Sequence, residues 1–147
     1  MLAIGCKVIA QNAKWQEIAP MLQARVRPCC ALLPDGRILM IGGELTPAGT
    51  GVLSECEIYN PVKNTWSVTG SLHVPRFWGA LATMHDGKIF VSGGYTSIDA
   101  GFNALATNEC EIYDPATGIW QTTASMFRPR ACFDAFTLPN GDVMVLG

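Results

Sequence analysis

Hydrophobic positions in this chain come in short runs of four or five residues separated by turn residues, a pattern that predicts strands rather than helices. A first type of run is residues 80–84, Ala-Leu-Ala-Thr-Met. It leads into Asp86-Gly87, matched by Asp35-Gly36 and Asn140-Gly141, and such dipeptides favour tight hairpins because glycine accepts positive φ. A second type, residues 38–41, 89–92 and 143–146, is almost continuously apolar, as expected of a strand covered on both faces. The pairs Gly42-Gly43 and Gly93-Gly94 close two of these runs, where a backbone must bend or pack closely. Variable loops follow at 44–54 and 95–108. A third strand then carries Glu57-Ile58-Tyr59 or Glu111-Ile112-Tyr113, stopped by Asn60-Pro61 or Asp114-Pro115 because proline cannot donate to a ladder. A fourth strand holds Trp66 or Trp120 and ends before Leu72 or Met126.

The order repeats. The two copies are offset by 51 residues at the glycines and by 54 at the tryptophans, the difference falling between glycine pair and glutamate. A half copy precedes them, since Trp15 and Arg25 are spaced like Trp66 and Arg76 or Trp120 and Arg130. A period near fifty means an array of small four-stranded sheets. Residues 1–24 supply third and fourth strands, 25–75 and 76–129 complete sets, and 130–147 first and second strands, twelve strands in all. The expected fold is all-β: three propeller blades' worth of antiparallel sheet, one blade being split between the two ends.

The double glycine, the Glu-Ile-Tyr-Asn/Asp-Pro segment, the following tryptophan and the Met/Leu-x-x-x-Arg after it together resemble the kelch repeat across essentially the whole chain. The segment Leu33-Pro34-Asp35-Gly36-Arg37 is most similar to bacterial and galactose-oxidase-type members. The half copy departs from the family in having Cys6 and Val8 where Glu and Tyr are usual, and Gly147 aligns with Gly42. The resemblance implies a closed ring of more than three blades. Closure is expected from a homodimer in which each copy's terminal strands complete the other's split blade, giving six blades. A larger oligomer, a partner-completed ring or a fragment of a longer propeller are the alternatives.

Composition changes the picture little. Of 147 residues, 49% are hydrophobic and 15% charged, which fits packed strands and not disorder. Ten basic and twelve acidic residues give net charge −2, so no nucleic-acid partner is expected. No apolar run approaches the roughly 20 residues of a spanning helix, and no membrane role is expected. The first ten residues have no basic leader, so no signal peptide is read there. The cysteines at 6, 29, 30, 56, 110 and 132 lack Cys-x-x-Cys spacing and are read as free thiols of a reducing, cytoplasmic setting.

Candidate chemistry gathers where alternate loops share one face. The links 22–28, 73–78 and 127–131 carry Arg25, Arg27, Arg76, Arg128 and Arg130, five of the six arginines. A positive rim for a protein, an acidic peptide or another acidic ligand is expected there, because guanidinium groups hold carboxylates bidentately. Arg27, Arg76 and Arg128, with the aromatics Phe77, Trp78, Tyr95 and Phe102, are the candidate binding residues. Arg25, Arg76 and Arg130 repeat in register and have a second reading as blade supports paired with Glu57 and Glu111. Gly42, Gly43, Gly93, Gly94, Tyr59, Tyr113, Trp15, Trp66 and Trp120 are read as structural, the tryptophans filling space between blades. The resemblance also brings copper oxidases and sugar isomerases into view. His73 and His85 are expected on opposite faces, and neither a metal, a cofactor nor catalytic residues are assigned. Asp134 is read as a solvated channel carboxylate and Cys29-Cys30 as structural thiols. The leading expectation is a non-catalytic binding scaffold. A fragment of a sugar-active or oxidase-like enzyme, or a self-assembling module without a ligand site, are the alternatives.

Overall fold

The structure is a computed structural model that describes residues 6–9, 14–46, 51–99 and 103–147. It is all-β, with no helix among the described residues. Strands β1 (Cys6–Ile9) and β2 (Lys14–Glu17) pair as a hairpin. The first complete blade is β3 (Cys29–Leu32), β4 (Ile38–Ile41), β5 (Cys56–Asn60) and β6 (Thr65–Val68), hydrogen-bonded in that order. The second is β7 (Ala80–Thr83), β8 (Ile89–Ser92), β11 (Cys110–Asp114) and β12 (Ile119–Thr123). Its long loop folds back as a hairpin of β9 (Tyr95–Ile98) and β10 (Ala104–Ala106), which the sequence pattern did not predict. Asp99 closes that hairpin, its carboxylate accepting from the Asn103 amide N–H at 2.8 Å. A last hairpin, β13 (Asp134–Thr137) with β14 (Val143–Leu146), packs against the second blade. These are kelch-type propeller blades.

The core lies between the two complete blades. Cys29, Ala31, Leu39 and Ile41 present one face of β3–β4, and Ile89 and Val91 with Leu81 present the opposing face of β7–β8. All but Leu81 are buried. The glycine pairs are required at this joint. A Cβ on Gly42 would stand 2.3 Å from the Arg76 carbonyl oxygen, and one on Gly93 2.4 Å from that of Arg130. Glycine alone lets the next link lie that close, and Gly43 N–H donates to the Arg76 carbonyl at 2.9 Å, as Gly94 does to Arg130.

The tryptophans tie neighbours together at the rim. Trp66 Nε1 donates to the Ala19 carbonyl at 2.8 Å and Trp120 Nε1 to that of Gly70 at 3.0 Å, each reaching the exit of the preceding unit. Each ring also packs on its own blade's tyrosine, Tyr59 or Tyr113, with centroids 5.1 Å apart. Trp15 differs: it is 72% exposed, because no unit's exit lies against it among the described residues.

Two arginine–glutamate pairs lock the links to the third strands. Arg25 Nη2 meets Glu57 at 2.5 Å and Arg76 Nη2 meets Glu111 at 2.7 Å, with both pairs buried. Each carboxylate also accepts two link amides, from Leu22 and Gln23 onto Glu57 and from His73 and Val74 onto Glu111. Each Nη1 donates to backbone carbonyls, of Gly42 and Glu55 or of Gly93 and Glu109. Burial pushes the Glu111 carboxyl up, but the His73 amide and ring, the Arg76 guanidinium and the Val74 amide together hold it below the usual carboxylate range.

Replacing Trp120, 3% exposed, with alanine is expected to cost about 3–5 kcal/mol in urea denaturation, whereas Trp15→Ala changes stability by about 0.5 kcal/mol or less. Equal costs would show that the indole bridges do not hold blade to blade. Arg76→Met strands the Glu111 carboxylate and is expected to cost about 3–5 kcal/mol. Because folding depresses the Glu111 pKa, its contribution is complete above the ordinary glutamate value of about 4.3 and is lost as pH falls through the lowered folded value. Glu111→Gln should therefore flatten the acid limb of a stability–pH curve.

Candidate functional site

The links and the loops after the second strands share one face, and three link positions on it are equivalent by register: Arg27, Trp78 and Cys132. All three have left-handed backbone, with φ of 52°, 52° and 58°, although none is glycine. Only Asn64, in a turn, shares this among the non-glycine residues described. Such a conformation costs an L-residue about 1–2 kcal/mol, and strain of this kind concentrates at functional sites. The three are joined through the backbone: Trp78 N–H donates to the Arg27 carbonyl at 3.4 Å and Cys132 N–H to the Trp78 carbonyl at 3.0 Å. Successive blades thus display three different side chains in a row.

Neighbouring residues enlarge the row. Glu44 and Tyr95 occupy equivalent positions just after the glycine pairs, each bridged to the link that enters its own blade, at Val26 or Phe77. Glu44 is buried and accepts from Arg27 Nη1 at 2.5 Å, while its second carboxylate oxygen has no hydrogen-bond partner. The Arg27 guanidinium lies 4.3 Å over the Trp78 ring, a cation–π contact. Trp78 meets Tyr95 edge-on at 6.3 Å, and Phe77 packs beneath both at 5.8 and 5.5 Å. An ion pair therefore runs into a cation–π contact and then an aromatic cluster. Beside it, Trp78, Gly79, Cys132, Phe133 and Asp134 line an open cleft of about 370 Å³.

The expected positive rim is largely neutralised. Arg25 and Arg76 are committed to Glu57 and Glu111, and Arg27 to Glu44. Arg76 and Phe77 are buried, so they support the face from below and cannot touch a ligand on it. Trp78, 42% exposed, and the half-buried Tyr95 reach the surface. Arg128 is exposed, and Arg130 is half-buried with no acidic partner. Phe102 lies outside the described residues. Cys132 and Glu44 were missed as site residues. A non-glycine residue gives no sequence sign of positive φ, and the register of Cys132 with Trp78 was the available signal.

His73 Nδ1 lies 2.8 Å from Glu111, while His85 is exposed in a β7–β8 turn. Among the described residues no three metal-ligating side chains gather. Asp134 is exposed at the cleft. Cys29 is buried and its thiol is pushed up to about 11 by burial, as is that of Cys56, so both stay protonated near neutral pH. Cys30 is exposed.

Residues 79–127, which span the second blade, match the Kelch motif family. An F-box/kelch-repeat protein of Arabidopsis thaliana is 31% identical over 106 residues, covering 72% of this chain and 26% of that protein. Kelch-like protein 26 of Danio rerio is 31% identical over 134 residues, or 91% of this chain and 20% of its own length. Alpha-scruin of Limulus polyphemus is 28% identical over 142 residues, 96% and 15% respectively. The chain thus spans about a quarter or less of each of these three relatives. With the glycine pairs, the buried arginine–glutamate pairs and the rim tryptophans recurring in each complete blade, the chain belongs to the kelch-repeat family.

Proposed function

We propose that this chain is a non-catalytic protein-binding scaffold and that the row Arg27–Trp78–Cys132, with Tyr95, is its contact surface. The observation that carries this is the strained backbone at all three positions. A glycine would relieve it, yet the chain keeps a guanidinium, an indole and a thiol there. An exposed tryptophan held by an arginine and a tyrosine is the composition of an interface anchor. The relatives' printed names describe kelch-repeat proteins joined to other modules, which fits a binding role. An acidic ligand is the narrower form of the reading. Its support rests on Arg128 and Arg130, since the other link arginines already hold glutamates.

The ends of the array favour assembly with a second copy. The face of β3–β4 bearing Cys30, Ile38 and Met40 is equivalent to the one bearing Leu81, Ile89 and Val91, yet Cys30 is exposed and Ile38 and Met40 are half-buried, whereas Leu81 is half-buried and Ile89 and Val91 are buried. At the other end Phe136, Met144 and Leu146 lie exposed on the face equivalent to that of Leu39 and Ile41. These two faces are the halves of one further inter-blade joint. A homodimer in which β1–β2 of each copy completes β13–β14 of the other covers both, as a six-bladed ring.

Replacing Trp78 and Arg128 together with alanine is expected to abolish partner capture in pull-downs while leaving the melting transition in place; an unchanged capture profile would refute the contact surface. Cys132→Gly should raise stability by about 0.5–1 kcal/mol by relieving strain, net of glycine's entropy, and a loss instead would remove the strain from consideration. Light scattering at micromolar concentration should give twice the chain mass, and a folded monomer would exclude the ring of two copies.

A further inference from the structure

The turns of β3–β4, β7–β8 and β13–β14 share one plan but not one charge pattern. In each, the glycine amide donates three residues back, Gly36 to the Leu33 carbonyl, Gly87 to that of Met84 and Gly141 to that of Leu138, all at 2.9 Å. In each, the residue before the glycine accepts a backbone amide on its side-chain oxygen. Arg37 N–H donates to Asp35 at 3.0 Å, Lys88 N–H to Asp86 at 3.1 Å and Asp142 N–H to Asn140 at 3.1 Å. In the first two turns the second aspartate oxygen meets the base that donates that amide, Arg37 at 2.6 Å and Lys88 at 3.0 Å. The third turn reverses the roles: Asn140 Nδ2 donates to the Asp142 carboxylate at 2.7 Å. This clasp closes only while residue 140 is an amide.

Asn140 is the one asparagine of the sequence followed by glycine. It is exposed, and Gly141 has φ of 92° with no atom within 4 Å of where a Cβ would stand. Asparagine is a thermally labile residue. The cause is the next backbone nitrogen, which can attack the side-chain carbonyl carbon, most freely when that residue is glycine and carries no side chain. We propose that Asn140 is a site of spontaneous deamidation and that the change unclasps the β13–β14 turn. Gly141 N bonds to Asn140 Cγ as the Cγ–Nδ2 bond breaks. Ammonia leaves, carrying away the proton of the Gly141 amide, and a cyclic imide remains. Water, the sole co-reactant, then opens one of the two carbonyl–nitrogen bonds and leaves aspartate or isoaspartate at position 140. The aspartate restores the residue type of Asp35 and Asp86, but it faces Asp142 where they face a base, so like charges stand in place of the amide–carboxylate bond. Isoaspartate also inserts a backbone carbon into the turn. The folded turn holds the reaction back, because Gly141 keeps its proton on Leu138 and Asp142 engages both ends of the Asn140 carboxamide. The reaction therefore proceeds as the turn opens, and the Asp142 carboxylate is its latch.

The whole chain would be held in neutral buffer at physiological temperature beside its Asp142→Ala variant and a synthetic peptide copying residues 134–146. Peptide mapping by mass spectrometry, with aspartate and isoaspartate separated by chromatography, would follow every asparagine over weeks. Asn140 should convert while Asn60, Asn64, Asn103 and Asn108 stay intact. The peptide should convert about 10-fold or more faster than the folded chain, with Asp142→Ala between the two, as expected when a charge-assisted hydrogen bond holds the turn closed. Asp142→Ser takes the place of the alanine variant should that one not fold. Stability gives a second readout: Asn140→Asp should lower the melting midpoint. Asn140→Asp combined with Asp142→Lys, which rebuilds the arrangement of Asp86 and Lys88, should restore it. An intact Asn140 once the peptide has converted, or conversion spread evenly over the other asparagines, would overturn the site. An unchanged rate without the Asp142 carboxylate, or an unshifted midpoint in Asn140→Asp, would overturn the latch.

Discussion

The buried arginine–glutamate pair is the constraint from which the rest of each blade is laid out. A guanidinium removed from water is tolerable only when every donor is answered, and here the carboxylate, two carbonyls and two flanking amides answer one another. That network fixes the path of the link between blades. A fixed link brings its carbonyl onto the glycine pair, where no side chain could stand. The same path leads into the next first strand and sets the left-handed residue two positions after the arginine. Repeat spacing, glycine pair and strained position are thus consequences of one polar network.

Much of the blade was legible in the sequence because it is built from local signals in a fixed order. Residues 38–41, 89–92 and 143–146 form strands with those bounds because their apolar runs are bracketed by a turn on one side and a bend on the other. The glutamate and arginine were pairable from their shared register. The β9–β10 hairpin was not legible: Tyr95–Ile98 and Ala104–Ala106 have weak alternation, and the turn depends on Asp99 meeting Asn103.

The site was less legible than the fold, for a physical reason. Counting arginines on a rim predicts charge only if none is already paired, and pairing is a tertiary fact. Glu44 is one residue in a variable loop, yet it reaches Arg27 across 17 residues and neutralises the single cation of the Arg27–Trp78–Cys132 row. Trp15 shows the same limit. It has the right spacing, but a tryptophan at that position is buried by its neighbour and not by its own blade, so sequence position alone could not settle its exposure.

The bonds between blades are short in reach: indole to exit carbonyl, glycine amide to link carbonyl, link amide to link carbonyl, the Thr69–Tyr113 hydroxyl pair, the Thr137 hydroxyl to the Thr83 carbonyl, and one thiol, Cys29, donating to the Gly79 carbonyl at 3.0 Å. Nothing ties the first hairpin to the last within one chain among the described residues. Loss of order should therefore begin at either extremity and advance inward wedge by wedge, each step releasing only the contacts of a single seam. Closing the circle would abolish those starting points, turning a fraying ribbon into a body that must come apart all at once.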